Sequence, residues 1–132
     1  MQVKKIVIAQ KGQALVETAL VLPIIILILA GIMDFGLLFN NYLVIANAAR
    51  EGARSAAVGS SDSSINSLIA SMTATLDQTK VKITIAPVDS SRKKGDEVTV
   101  TVQYDYTLIT PVISAIIPNP VHVKTKTVMR VE

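Results

Sequence analysis

The chain has 132 residues, of which 50% are hydrophobic and 17% are charged, with 13 basic and 10 acidic residues, no cysteine and no tryptophan. This length allows one small domain and excludes a large multi-domain enzyme, and the lack of cysteine excludes disulfides and thiolate metal sites. Aromatic residues make up only 4% of the chain, so the apolar excess is aliphatic, and lipid or other subunits must cover it.

The amino-terminal third combines a basic start with a long uncharged stretch. Residues 1–12 contain three lysines and no acid, and residues 18–33 (TALVLPIIILILAGIM) carry no charge. With its apolar neighbours, this stretch approaches the roughly 20 residues that cross a bilayer. Because the lysines precede it, the positive-inside rule predicts a cytoplasmic amino terminus. A secretory signal peptide is the alternative, but here helix-forming residues continue without a turn signal to about Val58.

The helix predicted from Gln13 to Val58 is about 45 residues long, or roughly 68 Å, which is far more than a bilayer requires. Only its first half can therefore lie in lipid. Pro23, Gly31 and Gly36 weaken it, because proline removes a backbone donor and glycine raises the entropy cost of ordering. We expect a kink or a melted turn near Pro23, either as a packing feature or as a segment that melts for function.

Two acidic residues flank the apolar stretch. Glu17 lies near its start, where an unpaired carboxylate is costly, so it needs a partner or an interfacial position near the positive end of the helix dipole. If the chain is cut after Gly12, the α-amino group of Gln13 lies one turn from Glu17 and can neutralise it within one chain or between neighbours. Asp34 lies at the other edge. Its Asp-Phe-Gly letters match a kinase motif, but without the accompanying kinase motifs we regard this match as accidental.

This amino-terminal pattern resembles the processing site of type IV prepilins, with Gly12 before Gln13, Glu17 at the fifth position of the cut chain and an apolar run behind. The surrounding sequence is similar to the amino-terminal region of TadE-like pilins, the small pilins of tight-adherence secretion and pilus systems. The similar segment is KGQALVETALVLPIIILILAGIMDFGLLFNNYLVIANAAREGARSAAV. The recurring family segments are found here at 12–17, Pro23, 34–36 and 48–54. The closing GDEVTVTVQYDYTLITP and TVMRVE are similar as well, so the resemblance covers nearly the whole chain.

The resemblance implies roles for three residues. Gly12 would be the last leader residue recognised by a prepilin peptidase, Gln13 the mature amino terminus, and Glu17 the residue that governs subunit docking. The chain would then divide into a leader at 1–12, a membrane and filament-core helix at 13–58 and a globular domain at 59–132. The peptidase is another protein, and this chain would be its substrate.

Two functions from different classes remain open. The first is a structural subunit of a Tad-type, type IV pilus-like filament, either major or minor, whose partners are copies of itself, other pilins, the prepilin peptidase and the pilus assembly machinery. Such a chain would lie in the cytoplasmic membrane, in contact with lipid and with its carboxy-terminal domain outside, and later in a cell-surface filament. The second is a bitopic membrane anchor that displays a small extracytoplasmic binding domain and never polymerises.

The carboxy-terminal part predicts a short helix followed by a sheet. Ser and Asp residues at 60–64 suit a turn and a helix cap, and apolar residues recur at spacings of three and four up to about Leu76. Alternating apolar residues predict strands at the following ranges: 81–86, 97–108 and 121–131. The expected fold is α+β, with a long hydrophobic helix, a short helix and a three-stranded antiparallel sheet.

Two connections complete this predicted sheet. Residues 90–96 (SSRKKGD) form a polar hairpin connection, with Gly95 as the residue of positive φ. The basic run Arg92–Lys94 is flanked by acids and predicts a solvated hairpin tip. Residues 110–120 (TPVISAIIPNP) contain three prolines around an apolar middle, so they predict a crossover loop rather than a strand.

The sequence gives no support for catalysis, and we expect no catalytic residue, no metal site and no cofactor. His122, the one histidine, alternates with valines as a solvent-facing strand residue, without a paired acid nearby in sequence. Tyr104 and Tyr106 share a strand face and are interpreted as packing residues. The three lysines of residues 1–12 account for the whole net charge of +3, so a nucleic-acid partner is not expected.

Four charged residues of the long helix are candidates for contacts between subunits: Asp34, Arg50, Glu51 and Arg54. Glu51 lies one and three residues from the two arginines, a spacing that allows either a surface ion pair within the chain or a contact with a neighbouring subunit.

Overall fold

The computed structural model describes the backbone from Gln2 to Glu132 and the side chains from Gly12 to Glu132, so the predicted leader before Gly12 is described only by its backbone. The elements follow one another as α1 (Gln2–Ala57), α2 (Asp62–Met72), β1 (Val81–Ala86), β2 (Glu97–Tyr106), α3 (Pro111–Ser114) and β3 (Val121–Arg130). Single 3₁₀ turns precede β1 and lie between β1 and β2. The expected α+β fold with a long helix, a shorter helix and a three-stranded antiparallel sheet is confirmed.

Helix α1 has two parts that differ in their surroundings. Every large apolar side chain from Leu15 to Met33 is exposed, whereas one face is buried from Asp34 onwards. The fully buried members of that face are Ile45, Ala48, Ala49, Ala53 and Ala56. Their spacing of three and four residues forms a single stripe, and the small alanines let the helix lie close to its neighbours. Only the second part of α1 therefore belongs to the core of the domain.

Helix α1 ends one residue before the predicted boundary at Val58. Gly59 adopts a φ of +88°, and its N–H donates to the Ala56 carbonyl at 3.1 Å. The N–H of Ser60 donates to the Ser55 carbonyl at 3.1 Å, which satisfies a second carbonyl of the last turn. A glycine in the left-handed region commonly ends a helix in this way, because it has no Cβ to clash.

Helix α2 packs on α1 and is shorter than expected. The Ser61 side chain caps it by accepting a hydrogen bond from the Ser64 N–H, and Ile65 and Ile69 are fully buried. The helix stops before Thr73, whose hydroxyl donates to the Ile69 carbonyl at 2.8 Å. The apolar spacing that predicted a helix to Leu76 continues through a turn instead. Hydroxyl groups that bond to backbone carbonyls offer such an alternative to helical geometry.

The sheet has the order β1-β2-β3, with both pairs antiparallel. The central strand β2 alternates strictly, and its side chains Val98, Val100 and Val102 are fully buried on the face that packs against α1. The predicted bounds of β1 are confirmed, while β2 and β3 end before the predicted Leu108 and Val131. Gly95 has the expected positive φ, at +92°.

Two predictions about the connections need correction. Residues 110–120 join neighbouring antiparallel strands, so they are not a crossover, and they begin with the helical turn α3, in which Pro111 occupies an early position without a backbone donor. Arg92 is not part of a solvated tip, because its side chain is only 5% exposed. It pairs with Asp62 and donates to the carbonyls of Ser60 and Pro87, at 2.9 and 3.0 Å, and thereby joins the start of α2 to the β1–β2 connection.

Candidate membrane and assembly surface

The largest unusual surface of the protein is the apolar first part of α1. From Leu15 to Met33 its aliphatic side chains are exposed on all sides of the helix. This part of α1 is long and apolar enough to cross a membrane, and none of it is buried inside the chain. Water is an unfavourable solvent for such a surface, because each buried large aliphatic side chain is worth about 1.5 to 3 kcal/mol relative to exposure.

The helix is continuous through Pro23, Gly31 and Gly36. Of the kink or melted turn expected near Pro23, the melted turn is not present in this single chain, and the kink stays a prediction. A Cβ atom at Gly31 would lie 3.1 Å from Cδ1 of Ile113, whereas one at Gly36 would meet no heavy atom within 4 Å. Gly31 thus has a packing reason to be small, while a role for Pro23 or Gly36 in an assembled filament remains a prediction.

Glu17 is exposed one helical turn after Gln13, in agreement with the geometry assumed for a contact between its carboxylate and a new amino terminus. It lines a shallow groove of about 330 Å³ together with Ala14, Thr18, Val21, Leu22 and Ile25. Among residues 12–132, no basic side chain forms an ion pair with Glu17. Gly12 and Gln13 are exposed as well, and cleavage between them stays a prediction.

Asp34 is buried, with 2% of its surface exposed, where the apolar part of α1 ends. Its Oδ1 accepts hydrogen bonds from the Tyr106 hydroxyl at 3.1 Å and from the Ile109 N–H at 3.0 Å, and its Oδ2 accepts one from the Thr110 N–H at 2.9 Å. The predicted contact of Asp34 with a neighbouring subunit stays a prediction, and these hydrogen bonds show what the residue does within one chain. The carboxylate holds the end of β2 against α1.

Tyr106 donates to this carboxylate from the last position of β2. Burial, and then the hydrogen bond and the negative charge of Asp34, raise the pKa of Tyr106 to about 12. The phenol therefore stays protonated at neutral pH and remains a donor. Sequence reasoning missed this link because nothing local connects an acid in a helix with a strand end 72 residues later.

An uncharged loop follows Tyr106 and packs beside Asp34. Residues 107–121 contain no Asp, Glu, Lys or Arg. Four of their large apolar side chains, which we call the apolar tip, are exposed: Ile109 (66%), Val112 (50%), Ile116 (80%) and Ile117 (46%). The loop and α1 form a partly open apolar pocket of about 230 Å³, whose lining includes Gly31, Phe35 and Ile113. The prolines predicted a loop here, but its contact with α1 was not predicted.

Arg50 and Arg54 are exposed and Glu51 is half-buried on the second part of α1. Within residues 12–132 none of the three forms an ion pair, so the surface pair considered from their spacing is not found. Their contact with a neighbouring subunit stays a prediction.

His122 has an acidic partner that the sequence did not reveal. The register of β2 and β3 places it opposite Asp105, and the His122 Nδ1 lies 2.6 Å from the Asp105 Oδ1. Lys82 donates to the other carboxylate oxygen at 3.2 Å. The hydrogen bond from His122, followed by those from Gln103 and Lys82, holds the pKa of Asp105 well below its ordinary value. Because the His122 side chain is 64% exposed, we interpret this cluster as a cross-strand surface pair.

The described part of the chain contains no group of three or more His, Cys, Asp or Glu residues that could hold a metal ion. This statement covers residues 12–132.

Comparison with known protein families agrees with the resemblance seen in the sequence. Residues 12–54 match the family described as TadE-like protein. The matched segment begins at Gly12 and includes Glu17, Asp34 and the arginines of α1. No curated protein and no solved structure matches the chain. The resemblance is thus confirmed for residues 12–54, which form most of α1, and residues 55–132 lie outside the match.

Proposed function

Because residues 12–54 match TadE-like proteins, we propose that this protein is a structural subunit of a Tad-type surface filament. The precursor lies in the cytoplasmic membrane through the first part of α1, with its amino terminus inside, and the same helix later packs into the filament core. The observation that carries this proposal is the apolar surface from Leu15 to Met33, which is exposed on every side of a single chain. Such a surface requires lipid first and sister subunits afterwards.

The energetics of this transfer favour contacts that are specific to the filament. Lipid and neighbouring apolar helices cover an aliphatic side chain about equally well, so burial alone gives little net free energy for leaving the membrane. Close packing and polar contacts must supply the difference. The exposed Glu17, which has no ion-pair partner among residues 12–132, is the group on this surface that is best suited to such a contact.

Processing after Gly12 would create the partner for Glu17. The new α-amino group of Gln13 carries a positive charge, and an ion pair removed from water is strengthened by the low dielectric constant around it. Because one amine can pair with the carboxylate of its own chain or of a neighbour, cleavage would both neutralise Glu17 and link subunits. A prepilin peptidase is the enzyme in this scheme, and the chain itself is a substrate with a structural role.

The first experiment identifies the mature amino terminus. Surface material is sheared from cells, imaged by negative staining and analysed by mass spectrometry. We expect filaments built from a chain that begins at Gln13. An intact Met1 start in the surface-exposed protein, without filaments, would favour the non-polymerising membrane anchor that displays its sheet domain.

The second experiment tests Glu17 with a matched control. Glu17→Ala should be inserted and processed but should fail to form filaments, because it removes the charge that docks the subunit. Thr18→Ala is the control, since Thr18 lines the same groove and its hydroxyl bonds only to the Ala14 carbonyl of its own helix, at 2.9 Å. Normal filaments from Glu17→Ala would contradict the docking role, whereas loss of filaments from both variants would point to a general packing defect.

A further inference from the structure

The apolar tip lies at a defined level along α1. The Thr110 N–H donates to the Asp34 carboxylate at 2.9 Å, and Cδ1 of Ile113 lies 3.1 Å from the position that a Cβ on Gly31 would occupy. These two contacts fix the loop beside the last turn of the apolar part of α1. The 20 residues from Ala14 to Met33 span about 30 Å as a helix, which equals the thickness of a bilayer's hydrocarbon core. The apolar tip is therefore level with the outer edge of that core.

The side chains just beyond this level are those typical of a membrane interface. Phe35, Phe39 and Tyr42 are exposed at helical spacings of four and three, so they follow one face of α1. Aromatic side chains are enriched where hydrocarbon meets the headgroups. Beside the loop, the Lys80 ammonium group donates to the Thr107 hydroxyl at 3.1 Å, so a positive charge that can pair with lipid phosphates adjoins the apolar tip.

We propose that the loop around α3 inserts into the outer leaflet beside α1, so that the precursor is held in the membrane by two elements of the chain. The partner is the lipid acyl region. This inference rests on the proposed insertion of α1 and extends it to the globular domain. Lipid is favoured as the partner because residues 107–121 carry no charged side chain and Asp34, the acid that the loop contacts, is buried and accepts three hydrogen bonds.

The insertion gives a physical reason for the contacts of Asp34. An ionised carboxylate at the edge of the hydrocarbon is costly unless donors surround it. Two of its three donors are the backbone N–H groups of Ile109 and Thr110, which belong to the loop itself. The loop thus shields the carboxylate from lipid, and the carboxylate in turn holds the loop at membrane depth.

The test uses tryptophan fluorescence of the full chain, which contains no natural tryptophan. Single variants are reconstituted into phosphatidylcholine vesicles, with and without bromine on the acyl chains as a quencher. Ile116→Trp probes the apolar tip, where the native side chain is largely exposed and the replacement should leave the packing intact. Ile28→Trp lies within the proposed span. Val88→Trp is the control, because Val88 is exposed and lies at the end of the domain away from the proposed membrane span. Its neighbour Asp89 accepts a hydrogen bond from the Asp62 N–H at the start of α2, which follows the carboxy-terminal end of α1.

We expect the emission of Ile116→Trp to be blue-shifted. Its emission intensity should fall in brominated vesicles by about as much as that of Ile28→Trp. Val88→Trp should keep its full emission intensity in both kinds of vesicle. Quenching of Ile28→Trp together with an unquenched, red-shifted Ile116→Trp would overturn the inserted loop and leave the span intact. Blue-shifted but unquenched emission from Ile116→Trp would also overturn it, because another copy of the chain would then cover the tip. An unquenched Ile28→Trp would overturn both the inference and the proposed membrane insertion.

Discussion

Gly52 marks the place where α1 comes closest to the rest of the domain. A Cβ atom on Gly52 would lie 2.8 Å from Cδ1 and 3.1 Å from Cγ1 of Ile69, and 3.4 Å from Cγ1 of Val100. Ile69 and Val100 are both fully buried, so in a close-packed core a shift of the Ile69 side chain would displace other buried atoms. Gly36 lies in the same helix, and a Cβ there would meet nothing within 4 Å. The two glycines therefore form a matched pair.

The expected magnitudes follow from two opposing terms. Replacing glycine by alanine in a helix interior gains about 1 kcal/mol, because alanine loses less backbone entropy on folding. Overpacking a close-packed core costs about 1 to 3 kcal/mol. Gly36→Ala should therefore stabilise the domain by about 1 kcal/mol, whereas Gly52→Ala should be neutral or destabilising by up to about 2 kcal/mol. The gain in helix propensity is the same for both variants, so the difference between their stabilities gives the steric cost at Gly52 alone.

The assay is urea unfolding of the full chain in a mild non-ionic detergent, followed by the fluorescence of Tyr104 and Tyr106, which are buried on β2. Gly52→Ala should unfold at a lower urea concentration than Gly36→Ala, with an unchanged slope. Adding Ile69→Val, which removes the clashing Cδ1, should cost less in the Gly52→Ala background than in the native chain. A Gly52→Ala variant that is as stable as Gly36→Ala would refute the steric argument.

Three further predictions concern polar groups of the domain. The pKa of Tyr106 is raised from 10.0 to about 12, so the native chain should lose about 2 to 3 kcal/mol of stability as the pH rises from 10 to 12. The Tyr106→Phe variant should not show this loss, and urea midpoints measured across this pH range will check both. The pKa of Asp105 is lowered from 3.8, chiefly by His122, so its contribution is present above that pH and lost as the pH falls through the lowered value; Asp105→Asn should flatten the acid limb of thermal melts. Arg92→Lys keeps the charge but cannot reproduce the bonds to Asp62 and two carbonyls, so it should cost about 1 to 3 kcal/mol by urea unfolding.

Local periodicity accounts for most of the secondary structure. The alternation in residues 81–86 predicts β1 with its observed bounds, because each strand needs one apolar face towards the helices. The end of α2 was missed because the Thr73 hydroxyl, rather than the apolar spacing, decides where the helix stops. The burial of Arg92 was missed because its partner Asp62 lies 30 residues away and only the fold brings the two together.

The same limit applies to the candidate site, and Asp34 illustrates it best. In the sequence, Asp34 only marks the end of the apolar stretch. Its burial depends on hydrogen bonds from Tyr106, Ile109 and Thr110, which lie more than 70 residues away in the chain. Those contacts give it two related functions within one chain. They fix the height of the sheet domain along α1, and in the proposed inserted state they would keep a charge out of lipid. A filament built from such subunits would inherit that fixed height, so the stagger between neighbouring helices would also set the spacing between neighbouring domains.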